Sequence, residues 1–175
     1  MQKKDTIKIT IRPFKIEDAE AVQWFASDEL VNRTTNMPYP YPKNGGLTFV
    51  KASMEGWLNK KNYNFAIQAN DKVIGSISLS LPNYEKGTIR CDYAISSSYW
   101  GQGIATEAIK LALSYAFINL DVKVVISSCL DRNPASRRVL EKNGFTETGN
   151  FIFSNNKFKD EPAHWFELTR EKWKK

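Results

Sequence analysis

With 175 residues, 42% of them hydrophobic, the chain is long and apolar enough for one domain with a real core, and its composition excludes disorder. No apolar run approaches the roughly 20 residues that span a bilayer, the segment MQKKDTIKI has no apolar centre of a secretion signal, and the isolated Cys91 and Cys129 form neither a disulfide framework nor a metal-ligand spacing. The net charge of +6 arises from scattered basic residues, so the expectation is a solvated surface rather than a nucleic-acid face, in a cytoplasmic protein without metal or membrane contact.

Ile7, Ile9 and Ile11 alternate with polar neighbours up to Pro13 and predict a first strand. Ile16-Glu17-Asp18 opens a helix through Ser27, with acidic residues where the helix dipole favours them and Ala21, Val22 and Phe25 inside. Asp28 to Thr35 adds a short helical turn. From Met37 to Gly46, three prolines and two glycines rule out regular structure. Tyr39 and Tyr41 in that loop read either as a ligand wall or as packing over the core edge. Leu47 to Lys60 is helical by pattern, with Val50, Met54, Trp57 and Leu58 expected inside.

Asn64–Ala69, Lys72–Leu81 and Thr88–Ile95 are strands on short links, hence an antiparallel meander. In the second of them Val73, Ile77, Leu79 and Leu81 are expected on one face and Ser76, Ser78 and Ser80 on the other, and in the third Ile89, Cys91, Tyr93 and Ile95 alternate against Thr88, Arg90, Asp92 and Ala94. Pro82 to Gly87 is a loop. Tyr99 to Asn119 is a glycine turn opening into a long helix, whose polar positions Glu107, Lys110 and Ser114 leave one narrow stripe for solvent.

Val122 to Leu130 is a β-branched central strand that completes a parallel crossover. Asn133 fits a helix N-cap, Pro134 the first helical position and Gly144 the left-handed end, with Phe145 folding back on Leu140. Phe145–Phe153 and Ala163–Leu168 are the last strands, joined by the turn Ser154–Lys159. The sum is an α/β (α+β) domain: a mixed sheet of about seven strands with an antiparallel first half and flanking helices.

Gly101 and Gly103 let backbone N–H groups approach a ligand, and the following helix points its positive end at the same spot, which makes an anion site. Two phosphate fingerprints do not apply. GQGIAT has Thr106 where a dinucleotide fold needs its third glycine, and no Gly-Lys-Ser/Thr closes the turn.

YWGQGIATEAI and NPASRRVLEKNGF, preceded by IRPFKIEDAEAV and followed by AHWFELTREKW, resemble the GNAT superfamily of acetyl-CoA-dependent N-acetyltransferases over nearly the whole chain. The likeness is strongest to the branch with the ribosomal-protein N-terminal alanine and serine acetyltransferases. Trp100 stands where the wider superfamily has Arg or Gln, as is common in this branch. The resemblance implies acetyl-CoA as cosubstrate and a splayed pair of strands, carrying Ile95 and Leu130, that takes the pantetheine. It implies that the amides of Gly101, Gln102, Gly103, Ile104, Ala105 and Thr106 hold the pyrophosphate, that Asn133 bonds the pantetheine arm, and that Arg137 or Arg138 meets the adenosine phosphates. Asn133 reads equally as a simple cap, and the two arginines as solvated.

Many superfamily members use a Tyr of the second helix as general acid. Leu140 stands there, and the branch's alternative, a Ser, is present as Ser136. The branch's basic Glu falls at Arg90, which accepts no proton. Asp92, two residues on and facing the same side, is the substitute, against the rival of a plain Arg90–Asp92 surface pair. His164, the single histidine, is expected on a late strand near the acceptor's entrance. The acceptor would sit between the Met37–Pro42 loop, the first helices and the last strands, as a protein N-terminus first and a small amine second. A homodimer stays open. Leu140 and Arg90 also motivate a rival class, a non-catalytic CoA-binding or sensing module. Ribosome or RNA association through the basic surface would show as salt-dependent binding.

Overall fold

The computed structural model describes residues 7–81, 87–154 and 156–174, so most of the expected Pro82–Gly87 loop and part of the Ser154–Lys159 turn lie outside the described residues. Strands β1 (Ile9–Pro13), β2 (Asn62–Ala69), β3 (Lys72–Ser80), β4 (Thr88–Ile95), β5 (Val124–Leu130), β6 (Thr146–Ile152) and β7 (Pro162–Thr169) form one sheet in the order β1-β2-β3-β4-β5-β7-β6. Every pairing is antiparallel except β4 with β5. The helices are α1 (Ala19–Ala26), α2 (Glu29–Asn32), α3 (Gly45–Leu58), α4 (Ile104–Asn119), α5 (Pro134–Lys142) and α6 (Arg170–Trp173).

On one face α4 lies along the sheet, burying Ile104, Ala108, Ile109, Ala112, Leu113, Ala116 and Phe117. The alanines recur every fourth position, on one side of the helix, and keep its axis close to the strands. Glu107 and Lys110 face solvent as the pattern predicts. On the other face α1 and α3 cover the first strands, closing a smaller core of Phe14, Val22, Phe25, Ala26, Val50, Ala66 and Val73. Two hydrogen bonds from Arg12 to Asp18, 2.7 and 2.8 Å, fix the step from β1 into α1. Burial opposes ionisation of Asp18, but the guanidinium and the Lys15 amide outweigh it and hold its carboxyl below the usual range.

Two expectations are corrected. In α3 the buried positions are Gly46, Val50, Ser53 and Gly56, while Met54 and Leu58 are 41% and 83% exposed. The small residues win the inner face because α3 approaches α1 too closely for anything larger: a Cβ on Gly46 would stand 2.2 Å from the Ala19 carbonyl oxygen. In β3 the alternation breaks at a bulge, since Ile67 pairs with Gly75 and Gln68 with Val73, leaving Ile74 without a partner on β2. Val73 therefore joins the α1–α3 core, whereas Ile74, Ile77 and Leu79 face α4. Leu81, expected on the face of Ile77 and Leu79, is 48% exposed.

The same bulge prepares the site. β4 and β5 pair only from Thr88 to Arg90 and Val124 to Ile126. Beyond that, β4 stays with β3 up to Ile95, and β5 stays with β7 up to Leu130, so the two strands part in a V. Gly75 lets the end of β4 lean towards β3, for a Cβ there would meet the Ala94 oxygen at 2.3 Å. The Ser96 N–H donates to Ile74 O at 2.9 Å and the Trp100 indole to Ile95 O at 2.8 Å, holding the strand end in that position.

Candidate active site

A cavity of about 360 Å³ fills the V. Because side chains alternate across a sheet, the parted strands give it two sides. Tyr93, Ile95, Ser127 and Cys129 open toward α4 and α5, and Asp92, Ala94 and Ser128 toward α2. Arg90 ties the V at its base. Its Nε and Nη2 donate to both Asp92 oxygens, at 2.6 and 2.9 Å, and Nη2 reaches Ser128 Oγ across the gap at 2.7 Å.

Over the α4 side sits the glycine turn. Gly101 and Gly103 have φ of 75° and 78°, left-handed values that side chains other than glycine adopt reluctantly, and nothing stands within 4 Å of a Cβ built on either. Gly103 is the N-cap of α4, so the first amides of that helix have no partner within it and face the cavity mouth with Ile104, Ala105 and Thr106. Opposite, α5 begins as its sequence predicts, with Asn133 Oδ1 accepting from the Ser136 N–H at 3.2 Å and Pro134 in the first turn. Asn133, Ser136, Arg138 and Lys142 face the cavity. A turn with two left-handed glycines and open space around them, a helix N-terminus and two cations fit a phosphate-bearing ligand whose arm runs down between the strands.

The third wall is the segment at α2. Asp28 caps α2 by accepting from the Leu30 N–H at 3.0 Å, and its other oxygen accepts from the Ser97 N–H at 3.0 Å. At the far end Arg132 donates to Arg33 O at 2.8 Å and Lys157 Nζ to Asn32 O at 2.6 Å. So strapped, the segment places Val31, Thr34 and Thr35 at the cavity, on the side where Asp92 opens.

Several expected residues stand elsewhere. Arg137 turns from the cavity to Glu147, 2.5 Å away, and lies over the Phe166 ring, leaving Arg138 as the arginine in place. Gln102, expected to act through its backbone amide, sends its side chain back to Ser98 O at 3.4 Å, and Leu130 ends the strand that parts from β4, paired there with Ala163 of β7. Tyr39 is 55% exposed, and Tyr41 packs on Gly45 and the α1–α3 core. His164 lies on β7 opposite Cys129 of β5, with Nε2 on Asp131 Oδ1 at 2.8 Å and Nδ1 on Glu147 Oε1 at 2.7 Å. The residue sequence reasoning missed is Tyr93, counted as one of an apolar row. Its hydroxyl was the available signal, because a buried phenol needs a partner, and that partner is Ser136 Oγ at 3.2 Å.

The His164 clip carries a pH prediction. The hydrogen bond to Asp131 raises its pKa, burial opposes this, and Glu147 adds to the rise. A raised folded pKa means the stabilisation is complete below the ordinary 6.5 and is lost as pH climbs through the raised value. Solvent reaches Asp131, so about 1 kcal/mol or less is expected. Urea unfolding from pH 6 to 9 should show this fall in wild type, with a flatter profile in His164→Ala; parallel profiles would assign the slope to other groups.

Among the described residues no three or more His, Cys, Asp or Glu side chains gather as a metal ion would require, and no helix is long and apolar enough to cross a membrane. Both cysteines are free and buried. The Acetyltransferase (GNAT) domain family model matches residues 8–146. The chain is 30% identical over 149 residues to the probable N-acetyltransferase YjcK of Bacillus subtilis, covering 81% of this chain and 82% of that one. Among solved structures, a Vibrio cholerae spermidine N-acetyltransferase with CoA and spermine superposes with a TM-score of 0.82 at 18% identity, over 95% of this chain and 98% of that one. RimL, a ribosomal L7/L12 alpha-N-protein acetyltransferase with CoA, gives 0.83 at 14% identity, over 94% and 98%. At such identities these two likenesses speak for the fold.

Proposed function

The chain belongs to the GNAT family of N-acetyltransferases, and from that we propose that it acetylates a single primary amine, a protein N-terminus before a small amine, with acetyl-CoA held in the V. The observation that carries this is the passage through the sheet, with the glycine cradle at one end and the α2 wall at the other. Acetyl-CoA supplies an activated acetyl thioester. The amides from Gly101 to Thr106 hold its pyrophosphate, Asn133 meets the pantetheine arm beside Ile95, and Arg138 with Lys142 takes the outer phosphate. Fixing two reactants on either side of the gap supplies much of the rate, because the thioester needs little further activation.

Ser136 faces the cavity and serves as the proton donor to the leaving sulphur, in the place that Leu140 cannot fill. Asp92 is the one carboxylate among the described residues lining the cavity, and both of its oxygens are engaged by Arg90. It takes the amine's proton through water rather than by direct contact. That single, already paired carboxylate is what favours a monoamine. A polycation, the substrate class in the name of the Vibrio neighbour, needs several free acids, whereas the amino group named for RimL is a lone one. The Arg90–Asp92 pair also keeps the rival reading of a CoA-binding module in view.

Thiol release from acetyl-CoA separates these readings when assayed with peptides bearing N-terminal Ala or Ser, with simple amines and with spermidine. Turnover on peptides above spermidine supports the proposal. Preference for spermidine overturns the acceptor class. Tight CoA binding with no thiol released on any acceptor assigns the module instead.

A further inference from the structure

Resting on the acetyltransferase reading, we propose that Tyr93 is a positioning residue for Ser136: its phenol donates to the Ser136 oxygen and so turns the serine's own O–H into the cavity. The two oxygens are 3.2 Å apart on different elements, β4 and α5, and both residues face the cavity.

A serine inside a helix ordinarily gives its hydroxyl hydrogen to the carbonyl four residues back. Ser53 does so to Phe49 O at 2.8 Å and Ser114 to Lys110 O at 3.1 Å. Ser136 is different because it stands in the first turn of α5, where the carbonyl four residues back, that of Arg132, precedes the helix. Its backbone N–H is bonded to Asn133 Oδ1 at 3.2 Å, which fixes the residue's place at the start of the helix. A hydroxyl has one hydrogen and two lone pairs. With a lone pair engaged by Tyr93, the hydrogen is left for the cavity.

The phenol is suited to donate. Its ring is packed against the main core, and its titratable neighbours there are the thiols of Cys91 and Cys129, which are weak acceptors. Burial pushes the phenol up to about 12, against a lowering by Ser136, so it keeps its proton throughout the working range. Asp92 points to the other side of the sheet, and Arg138 and Lys142 are cations without acceptor atoms.

In the transfer the amine nitrogen bonds the acetyl carbon as the carbon–sulphur bond breaks. Ser136 passes its hydroxyl proton to the departing sulphur, the proton lost by the amine goes through water to Asp92 and on to solvent, and Ser136 regains its own from solvent. Tyr93 transfers nothing.

The test uses four chains: wild type, Tyr93→Phe, Ser136→Ala and the double variant. Acid catalysis of this kind contributes about 100-fold or more, so Ser136→Ala should lower kcat by about that factor. Tyr93→Phe should lower it about 10-fold, with the KM for acetyl-CoA unchanged in each, and the double variant should be no slower than Ser136→Ala alone. A second readout needs no turnover: the Raman difference between wild type and Tyr93→Phe isolates the Tyr93 doublet, whose intensity ratio tells a donating phenol from an accepting one. A donor pattern with the non-additive kinetics supports the proposal. An acceptor pattern, an unchanged Tyr93→Phe rate in an active enzyme, or costs that multiply in the double variant overturn it while leaving the acetyltransferase reading intact. A wild-type chain that releases no thiol on any acceptor overturns both.

Discussion

The Gly103→Val chain is expected to fold and to bind CoA at least about 100-fold more weakly than wild type. Gly103 has a φ of 78°, and a left-handed residue with a side chain costs roughly 1–2 kcal/mol, more when β-branched. The chain has two ways to answer. If the backbone keeps its conformation, the new side chain occupies open space at the turn proposed to hold the pyrophosphate, since nothing among the described residues stands within 4 Å of that Cβ. If the backbone relaxes, the amides at the start of α4 turn from their common target. Charge-assisted hydrogen bonds contribute about 1.5–3 kcal/mol each, so two lost bonds make 3 kcal/mol or more, which exceeds a 100-fold change. The stability loss is far smaller than that of a core truncation, because no buried contact is removed. Calorimetric titration with CoA, beside urea unfolding, reads both numbers. Unaltered affinity would show that the cofactor's phosphates are not held by this turn.

What could be read from the chain divides by how local its cause is. The glycine turn, the Asn133–Pro134 helix start and the alternation of β4 depend on residues a few positions apart, and the structure has them as expected. The face of α3 depends on how closely α1 approaches Gly46, a contact between residues far apart in sequence, and hydrophobicity pointed to Met54 and Leu58 instead. Arg137 and Arg138 looked equivalent as neighbours. On a helix, adjacent residues diverge by about 100°, so only the packing of α5 against α4 and β5 decides that Arg138 faces the cavity and Arg137 meets Glu147. Tyr39, Tyr41 and His164 were placed by loop and strand order alone: Tyr41 packs over the α1–α3 core, the other reading its loop offered, Tyr39 stays exposed, and His164 is held between Asp131 and Glu147. Tyr93 shows the reverse: its place in the row was right, and its hydroxyl was what that row concealed.

Gly75 is the position where fold and site meet, and its replacement by alanine is the second large effect. One added methyl would stand 2.3 Å from the Ala94 oxygen and 2.9 Å from the Ile95 Cα. Both are backbone atoms, so no side chain can rotate to relieve the clash, and the end of β4 has to move away from β3. The direction is decided by what lies beyond it. Towards β5 there is only the cavity, because pairing with that strand stops at Arg90. Gly75→Ala should therefore cost about 1–3 kcal/mol, as overpacking does, and also narrow the V. As β4 shifts, the bond from the Ser96 N–H to Ile74 O at 2.9 Å stretches first, and the glycine turn that follows loses its anchor. CoA affinity should fall at least about 10-fold beyond anything the unfolded fraction explains, a gap of 1.4 kcal/mol or more. Gly149→Ala is the control, since a methyl there meets nothing within 4 Å. If Gly75→Ala were destabilised yet bound CoA as wild type does, the lean of β4 onto β3 would be a matter of packing alone, and the opening of the V would have to come from β5 and its pairing with β7.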